Sequence, residues 1–160
     1  MELTGKTDVI RFGRKRNNYA EFSNFHKCKI VYEGIEYNNS EAAWQSLKTL
    51  NMEERKSFSG YSGSVAKREG RKVSLRDDWE AVKYNLMIEV CYAKFSQNPE
   101  FKSLLLSTGD KELIEDTTGW HDNTWGDCSC PKCINKPGQN LLGRALMEVR
   151  SRLADSKEDK

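Results

Sequence analysis

Two amphipathic stripes constrain the fold of this chain more than any other feature of its sequence. In each stripe, apolar side chains recur every three or four residues, which is the spacing of one helical face. The first stripe consists of Trp79, Val82, Leu86, Val90 and Ala93, and the second of Leu142, Ala145, Leu146, Val149 and Leu153. A helix with such a stripe is stabilised by burying it against a core. The sequence therefore predicts a mainly α fold.

Capping residues predict where two of the helices begin. Ser40 is a typical N-cap residue, and we expect a helix from Glu41 to about Leu50 behind it. Asp77 is the predicted cap of the helix that carries the first stripe, because Glu80, three residues later, completes a capping box.

A small amount of β structure is predicted near the N-terminus. Cys28–Tyr32 and Ile35–Tyr37 flank the dipeptide Glu33-Gly34, which suits the two-residue turn of a hairpin. Val9–Phe12 is a candidate for a further short strand. Together with the helices, these elements indicate a single multihelical domain with a small N-terminal β-hairpin, and a length of 160 residues fits one domain with its own core.

Composition and charge exclude several classes of protein. A hydrophobic share of 37% with 10% aromatic residues is typical of a globular chain and not of a disordered one. The formal net charge of +2 favours no particular partner, although Arg11, Arg14, Lys15 and Arg16 form a basic cluster that suits either solvated surface or a phosphate contact. Without a long apolar run or the apolar core of a signal peptide, we expect no membrane association. Five cysteines, an odd number, indicate reduced thiols and a cytoplasmic location.

A loop rich in tryptophan and glycine, residues 119–126, is the first candidate for a functional site. It contains Trp120, His121, Asp122 and Trp125, and no amphipathic period runs through it. Aromatic rings can stack on a flat ligand, and glycines let the backbone approach it, so the loop suits the wall of a pocket. An ordinary loop anchored by two rings explains the same pattern.

A polar stripe on the predicted helix behind Ser40 is the second candidate. Glu41, Gln45 and Lys48 recur at a helical spacing opposite the apolar side chains. Spacing alone favours a solvent-exposed face for this stripe, and a binding site is the alternative.

Seven short motifs follow one another along the chain. They are Phe22-Ser-Asn-Phe25, Ser40-Glu41 with Gln45 and Lys48, Arg76-x-Asp78-Trp79, Thr108-Gly109, Asp122-x-x-Trp125-Gly126, Gly138-x-Asn140-x-Leu142-Gly143 and Leu146-Met-x-Val-Arg150. In this order they resemble the NADAR family, also called YbiA-like proteins. The resemblance covers residues 9–153, which we take as the NADAR domain, between an N-terminal segment (residues 1–8) and a charged tail (residues 154–160). It implies a mainly α YbiA-like fold and N-glycosidase activity.

The resemblance implies a hydrolase that breaks a ribosyl C–N bond in one of two classes of substrate. The first class consists of ribosylamine-phosphate intermediates of riboflavin biosynthesis. The second consists of ADP-ribosyl groups attached to a base, notably guanine in nucleic acid. The expected partner is therefore a small ribosyl phosphate or ADP-ribose ligand, with ADP-ribosylated nucleic acid as a further candidate substrate.

The resemblance also assigns roles to single residues. Glu41 matches the family's acidic residue on a helix, and we assign it the base or electrostatic role, since such a reaction passes through an oxocarbenium-like sugar. Asp122 matches the loop carboxylate and is the second catalytic candidate, for activating water or orienting a ribose hydroxyl. The residues expected to bind substrate are Asn24, Gln45, Lys48, Trp79, Trp125 and Asn140. Trp79 also fits the apolar stripe, where it would be a core residue.

Three cysteines distinguish this chain from the commoner family pattern. Cys128, Cys130 and Cys133 lie in an insertion between Gly126 and Gly138, and with His121 they could bind structural zinc. Because the cysteine pattern is incomplete by itself, it favours reduced thiols that bind no metal. The chemistry implied above requires no cofactor.

Two rival functions remain open on the sequence. One is a non-catalytic module that binds NAD or ADP-ribose, although such a module has little use for two carboxylates beside an anionic ligand. The other is a zinc-dependent nucleic-acid-binding protein, which the nearly balanced charge disfavours.

Overall fold

The structure, a computed structural model, describes residues 9–13 and 19–158. This part of the chain contains six helices: α1 (Ser40–Ser46), α2 (Met52–Ser57), α3 (Gly63–Glu69), α4 (Trp79–Gln97), α5 (Pro99–Ser107) and α6 (Leu141–Glu158). It also contains four short strands: β1 (Val9–Phe12), β2 (Ile30–Tyr32), β3 (Ile35–Tyr37) and β4 (Glu112–Glu115). The prediction of a mainly α fold is confirmed. Among the described helices, none has both the length and the apolar character needed to cross a bilayer.

By its internal contacts the chain divides into two compact units. The central unit is Asn24–Lys102, and the terminal unit combines the chain as far as Ser23 with the chain from Ser103 onward. The predicted segment of residues 1–8 and three members of the basic cluster, Arg14, Lys15 and Arg16, lie outside the described residues.

The predicted hairpin lies in the central unit, with Glu33 and Gly34 at its turn. Their φ angles of +50° and +85° are those of a type I′ turn, whose twist matches that of paired strands. β2 and β3 pair antiparallel around this turn, from Tyr32 opposite Ile35 outward. The side-chain amide of Gln97, at the end of α4, exchanges two hydrogen bonds of 2.8 Å with the backbone of Val31. The hairpin is thereby fixed to α4.

The predicted start and end of α1 are wrong. The N-cap is Asn39, whose side chain accepts the N–H of Ala42 at 2.7 Å, and Ser40 is the first helical residue. The hydroxyl of Ser40 instead donates to the side-chain oxygen of Asn24 at 2.9 Å. The helix ends at Ser46, and beyond it the N–H groups of Leu47 and Lys48 donate to the carbonyls of Trp44 and Gln45, three residues back, at 3.0 and 3.2 Å.

The predicted cap of α4 is displaced by one residue. Asp78, and not Asp77, occupies the N-cap position of α4, and its side chain makes no capping hydrogen bond. The carboxylate of Asp78 instead accepts from the guanidinium of Arg76, at 2.6 Å. The capping-box interpretation is therefore wrong.

The terminal unit is built around a parallel pair of strands that are distant in sequence. β1 pairs with β4, from Val9 opposite Glu112 to Phe12 opposite Glu115. Helix α6 packs on β4 so closely that a Cβ at Gly143 would lie 2.1 Å from the carbonyl oxygen of Leu113. Only glycine allows that approach, which explains the residue at this position. α6 continues through the charged tail as far as Glu158.

Arg11 cross-links two segments within the terminal unit by hydrogen bonds. Its guanidinium donates to the backbone oxygen of Asp127 at 2.9 Å and to the carboxylates of Asp127 and Asp116 at 3.2 and 3.3 Å. These bonds join β1 to the loop that leads away from β4. The basic cluster was expected either to be solvated surface or to contact a phosphate. Arg11 instead bonds to protein groups within the terminal unit.

Candidate functional site

The N-terminus of α1 fixes the position of Glu41. The backbone N–H of Glu41 donates to the carbonyl of Asn24 at 2.9 Å, and the side chain of Asn24 accepts from Ser40. The amide of Asn24 also contacts the sulfur of Met87 on α4, at 3.6 Å. Free N–H groups at a helix start need such acceptors. Asn24 thus positions the first turn of α1.

Gln45 holds the side chain of Glu41. Its Nε2 donates to a carboxylate oxygen of Glu41 at 2.7 Å, one helical turn earlier. Glu41 is 7% exposed and Gln45 is 4% exposed. The interpretation of the polar stripe as a solvent-exposed face is therefore wrong for both residues. Within the described chain, the Gln45 amide oxygen is a buried atom without a hydrogen-bond partner. It lies where a side chain on Gly70 would be, because a Cβ there would come within 2.0 Å of it.

Lys48 lies over a pair of tryptophan rings. Its Nζ is 5.8 Å from the ring centroid of Trp44 and 5.9 Å from that of Trp79, and the two centroids are 5.0 Å apart. Both rings are buried, and the indole N–H of Trp44 donates to the carbonyl of Lys83. Cation–π attraction therefore holds the ammonium group above the rings.

Burial also lowers the pKa of Lys48 below its ordinary value of 10.5. The Glu41 carboxylate opposes this shift, whereas the nearby cations Arg71 and Lys83 add to it. A carboxylate, an amide, two rings and several positive charges are therefore gathered in the central unit.

The tryptophan loop, residues 119–126, belongs to the terminal unit. One oxygen of Asp122 accepts the backbone N–H groups of Thr124 and Trp125, both at 2.9 Å. The carbonyl of Asp122 accepts from the hydroxyl of Thr117 at 2.7 Å. This is the side-chain-to-backbone turn that aspartate favours. The carboxylate of Asp122 therefore shapes the loop as well as carrying charge.

The loop also caps helix α6. The N–H groups of Leu141 and Leu142, at the helix start, donate to the carbonyls of Thr124 and Trp125, at 3.1 and 3.0 Å. Asn140 is 8% exposed; its amide donates to the carbonyl of Leu113 at 2.8 Å and accepts the N–H of Glu115 at 3.0 Å. Both polar atoms of the Asn140 side chain are thus bonded to β4.

His121 and the three cysteines of the insertion form one cluster. The Nδ1 of His121 lies 3.4 Å from the sulfur of Cys128 and 3.5 Å from those of Cys130 and Cys133. Burial raises the pKa of the Cys128 thiol, but hydrogen bonds from the backbone and side chain of Cys130, from Cys133 and from His121 outweigh it and lower that pKa to about 6. The four side chains offer ligand atoms that all lie within 4.8 Å of one another. This cluster has the composition of a metal site.

Comparisons with known proteins identify the family. The NADAR domain matches residues 11–154. The chain belongs to the NADAR family. The N-glycosidase YbiA of Shigella boydii is 38% identical over 152 residues, which cover 93% of this chain and 91% of that protein.

Two further comparisons support the assignment to the NADAR family. The NMR structure of the Escherichia coli protein YbiA is similar, with a TM-score of 0.81 and 35% identity, and the match covers 95% of this chain and 88% of that one. A riboflavin biosynthesis protein of Vibrio vulnificus is 31% identical over 91% of this chain, a match that spans 39% of that longer protein. The predicted family and its mainly α fold are both confirmed.

The structure gathers the predicted NADAR site residues into two groups. Asn24, Glu41, Gln45, Lys48 and Trp79 come together in the central unit around the start of α1. Asp122, Trp125 and Asn140 come together in the terminal unit around the start of α6. That Glu41 and Asp122 are catalytic remains a prediction.

Four residues that shape the central group were missed by the motifs. Trp44 looks like an ordinary core residue in sequence, although its ring contacts Trp79 and lies beneath Lys48. Gly70 looks like a helix breaker, although it makes room for Gln45. Arg71 and Lys83 have no distinguishing spacing. Arg71 directly follows Gly70 and Lys83 lies one helical turn after Trp79, but their importance could be recognised only once the groups near Lys48 are known.

Proposed function

We propose that this chain is an N-glycosidase that hydrolyses the ribosyl C–N bond of a ribosylamine phosphate or of an ADP-ribosyl group. The general activity, that of a hydrolase acting on N-glycosyl compounds, follows from membership of the NADAR family and from the similarity to N-glycosidases that are 38% identical to this chain. The observation that carries the proposal is the buried carboxylate of Glu41, held by Gln45 and close to Lys48.

Glu41 is the proposed catalytic base or electrostatic group. Breaking an anomeric C–N bond builds positive charge on the sugar, so a carboxylate near the anomeric carbon stabilises the transition state. The amide N–H of Gln45 and the positive charge of Lys48 are the partners that an ionised carboxylate needs. Its burial strengthens that interaction because a low dielectric screens it less.

Asp122 is the proposed second catalytic residue, which activates water or orients a ribose hydroxyl. In support, only one of its oxygens is used by the two backbone N–H groups of its turn. Trp125, next to this turn, is proposed to stack on the departing base, and Asn140 to belong to the same binding surface.

The positive charges of the central unit suit the substrate phosphate. Lys48 is held over Trp44 and Trp79, with Arg71 and Lys83 close enough to affect its pKa. Such a group of cations is unfavourable alone and becomes favourable when a phosphate neutralises it. Asn24 and Trp79 complete the proposed binding set in this unit.

The ribosylamine phosphate is the substrate class that the relatives favour. A similar protein of Vibrio vulnificus is named for riboflavin biosynthesis, whereas no comparison described above names nucleic acid. ADP-ribosylated guanine is therefore the second substrate to be tested. The proposed reaction needs no metal, and the free thiols of the chain suit the reducing cytoplasm.

The proposal is tested by offering both substrate classes to the purified chain. One reaction contains a ribosylaminopyrimidine 5′-phosphate and is assayed for ribose 5-phosphate. The other contains an oligonucleotide ADP-ribosylated on guanine and is assayed for released ADP-ribose. Release in either reaction, at a rate proportional to enzyme concentration, supports the N-glycosidase.

Binding without release would favour the non-catalytic module instead. Calorimetry with ADP-ribose and with ribose 5-phosphate detects such binding directly. Tight binding of either ligand, with no product from the corresponding substrate after prolonged incubation, would overturn the proposed function.

A further inference from the structure

The connection from β4 to α6 is long and irregular. Residues 116–140 contain no helix or strand, apart from a single bridge between Asp116 and Asp127. Irregular connections longer than about 12–15 residues are uncommon in compact domains, and an ordered one needs cross-links of its own. The base of the insertion has such a link, because the Asp127 carboxylate accepts the N–H of Gly138 at 2.8 Å. The part beyond this base carries the three cysteines.

The positions of the cysteine sulfurs and of His121 fit a tetrahedral ion. With Zn–S bonds of about 2.3 Å and Zn–N bonds of about 2.0–2.1 Å, the nitrogen and each sulfur of a tetrahedral site lie roughly 3.6 Å apart. The corresponding distances from His121 Nδ1 are 3.4, 3.5 and 3.5 Å. All pairs of ligand atoms lie within 4.8 Å of one another, whereas two sulfurs of such a site lie roughly 3.8 Å apart, so binding the ion requires the sulfurs to approach one another by at most about 1 Å.

The surroundings of the cluster favour a metal over other uses of these side chains. The cysteines are free thiols, so no disulfide explains their proximity. The backbone N–H of Cys130 points to the sulfur of Cys128 at 3.5 Å, a contact that stabilises a thiolate ligand. Asn123 fixes the backbone of Cys128, accepting its N–H at 2.9 Å. His121 is exposed and has a φ of +57°, so apolar packing does not hold it there.

We propose that His121, Cys128, Cys130 and Cys133 bind one Zn²⁺ ion and that this ion holds the tryptophan loop. Three thiolates and one imidazole are a common ligand set of structural zinc. All four positions are filled by protein atoms, so no position remains for water or substrate, and the ion is structural. Since His121 directly precedes Asp122, the ion cross-links the insertion to the residue before the proposed catalytic carboxylate.

Metal analysis of the full-length chain tests the site. We expect about one zinc ion per chain after purification without added metal. A Cys128→Ser, Cys133→Ser double variant should contain far less zinc than the wild type. Cys28→Ser is the matched control, because Cys28 lies in the central unit, and it keeps its zinc. The proposal would be overturned if the wild type contained less than about a tenth of an equivalent of zinc and took up none from a zinc buffer. It would also be overturned if the double variant contained as much zinc as the wild type.

Cobalt substitution tests the ligand set in the wild type, in case the double variant fails to fold. We expect Co²⁺ added to the chelator-treated chain to give intense visible bands of tetrahedral cobalt and thiolate-to-metal charge transfer in the near ultraviolet. The same titration of Cys28→Ser gives the same spectrum. A weak octahedral spectrum, or stoichiometric iron or copper in place of zinc in the purified chain, would contradict the site.

Hydrogen exchange tests what the ion holds. Removing zinc with a chelator is expected to increase amide exchange in residues 119–138, while exchange in α4 stays unchanged. Unchanged exchange in the loop after complete loss of zinc would show that the ion does not hold it. None of these measurements depends on glycosidase activity, so the zinc site and the proposed function can fail separately.

Discussion

Gln45 donates a hydrogen bond of 2.7 Å to the carboxylate of Glu41, one turn earlier in α1, and both side chains are buried. The amide fixes the direction of the carboxylate, and the backbone of Asn24 fixes the helix start beneath it. A carboxylate that is positioned before substrate arrives needs no reorganisation during the reaction. The geometry of this pair therefore leads to distinct predictions about charge, position and binding.

The charge of Glu41 is tested by Glu41→Gln, which keeps the shape of the side chain. We expect kcat to fall by about 10²–10⁴-fold, the usual contribution of a positioned acid or base. The measurement is steady-state release of ribose 5-phosphate or ADP-ribose from whichever substrate the wild type consumes. Thermal unfolding should change little because the glutamine amide can still bond to Gln45.

Glu53→Gln is the control for this charge change, because the Glu53 side chain is 88% exposed. It removes the same charge from the surface and should leave kcat and KM at wild-type values. Full turnover by Glu41→Gln would remove Glu41 from the catalytic machinery.

The position of Glu41 is tested without touching either member of the pair, by Gly70→Ala. The new methyl group would lie 2.0 Å from the Gln45 amide oxygen, so Gln45 must move and release Glu41. We expect a lower kcat together with a loss of about 1–3 kcal/mol in the free energy of unfolding. Gly70 has an ordinary helical φ of −62°, so backbone strain does not contribute.

Gly60→Ala and a double variant separate this effect from a general loss of stability. No atom lies within 4 Å of a Cβ at Gly60, so that substitution should change unfolding by less than about 0.5 kcal/mol and leave kcat unchanged. In a Gln45→Ala background the Gly70→Ala clash disappears, and the second substitution should add nothing to the loss of kcat. Additive losses would show that Gly70 does not act through Gln45.

Lys48 is expected to act on substrate binding. Lys48→Met keeps much of the side-chain volume over the tryptophan rings and removes the charge; it should raise KM about tenfold, equivalent to about 1.4 kcal/mol, with a smaller change in kcat. Burial lowers the pKa of Lys48, so its charge is fully present at low pH and is lost at a lower pH than for an exposed lysine. KM of the wild type should therefore begin to rise below pH 10.5, the ordinary lysine value.

Lys48→Arg distinguishes the titration of Lys48 from that of other groups. Arginine stays charged throughout this range, so the rise of KM with pH should disappear in that variant. A rise of KM that is identical in the wild type and in Lys48→Arg would assign the titration to another group.

Much of the fold could be predicted from local sequence patterns. The features that could not be predicted depend on contacts between residues that are distant in sequence. The apolar stripe beginning at Trp79 and the turn at Glu33 and Gly34 are local signals, and both elements formed as predicted. The parallel pairing of β1 with β4 joins Val9 to Glu112, a contact that local pattern does not encode. The predicted cap of α1 was one residue too late because Asn39 and Ser40 are both typical N-cap residues, and the side chain of Asn39 is the one that accepts the N–H of Ala42.

The candidate site was predictable from family motifs more than from spacing. Spacing alone placed Glu41 and Gln45 on a solvent face, and the structure buries both. The cysteine motif looked incomplete because three cysteines offer only three ligands, and His121, seven positions before Cys128, lies outside the usual paired spacing. His121 could be proposed from the sequence as the nearest imidazole, but only the fold shows that its Nδ1 lies within 3.5 Å of all three sulfurs.

Asp122 has two roles that one pair of substitutions can separate. Asp122→Asn keeps a side-chain oxygen for the N–H groups of Thr124 and Trp125 and removes the charge, whereas Asp122→Ala removes both. We expect Asp122→Asn to lose about 10²-fold or more in kcat. Its thermal stability should remain near that of the wild type, because the turn is preserved.

Asp122→Ala should lose the same activity and, in addition, about 1–3 kcal/mol of stability, because two N–H groups lose their acceptor. Unfolding by urea and steady-state kinetics measure the two effects separately. If Asp122→Asn keeps wild-type kcat while Asp122→Ala loses both activity and stability, the aspartate serves only to shape the loop. The catalytic carboxylate of this NADAR protein would then be that of Glu41 alone.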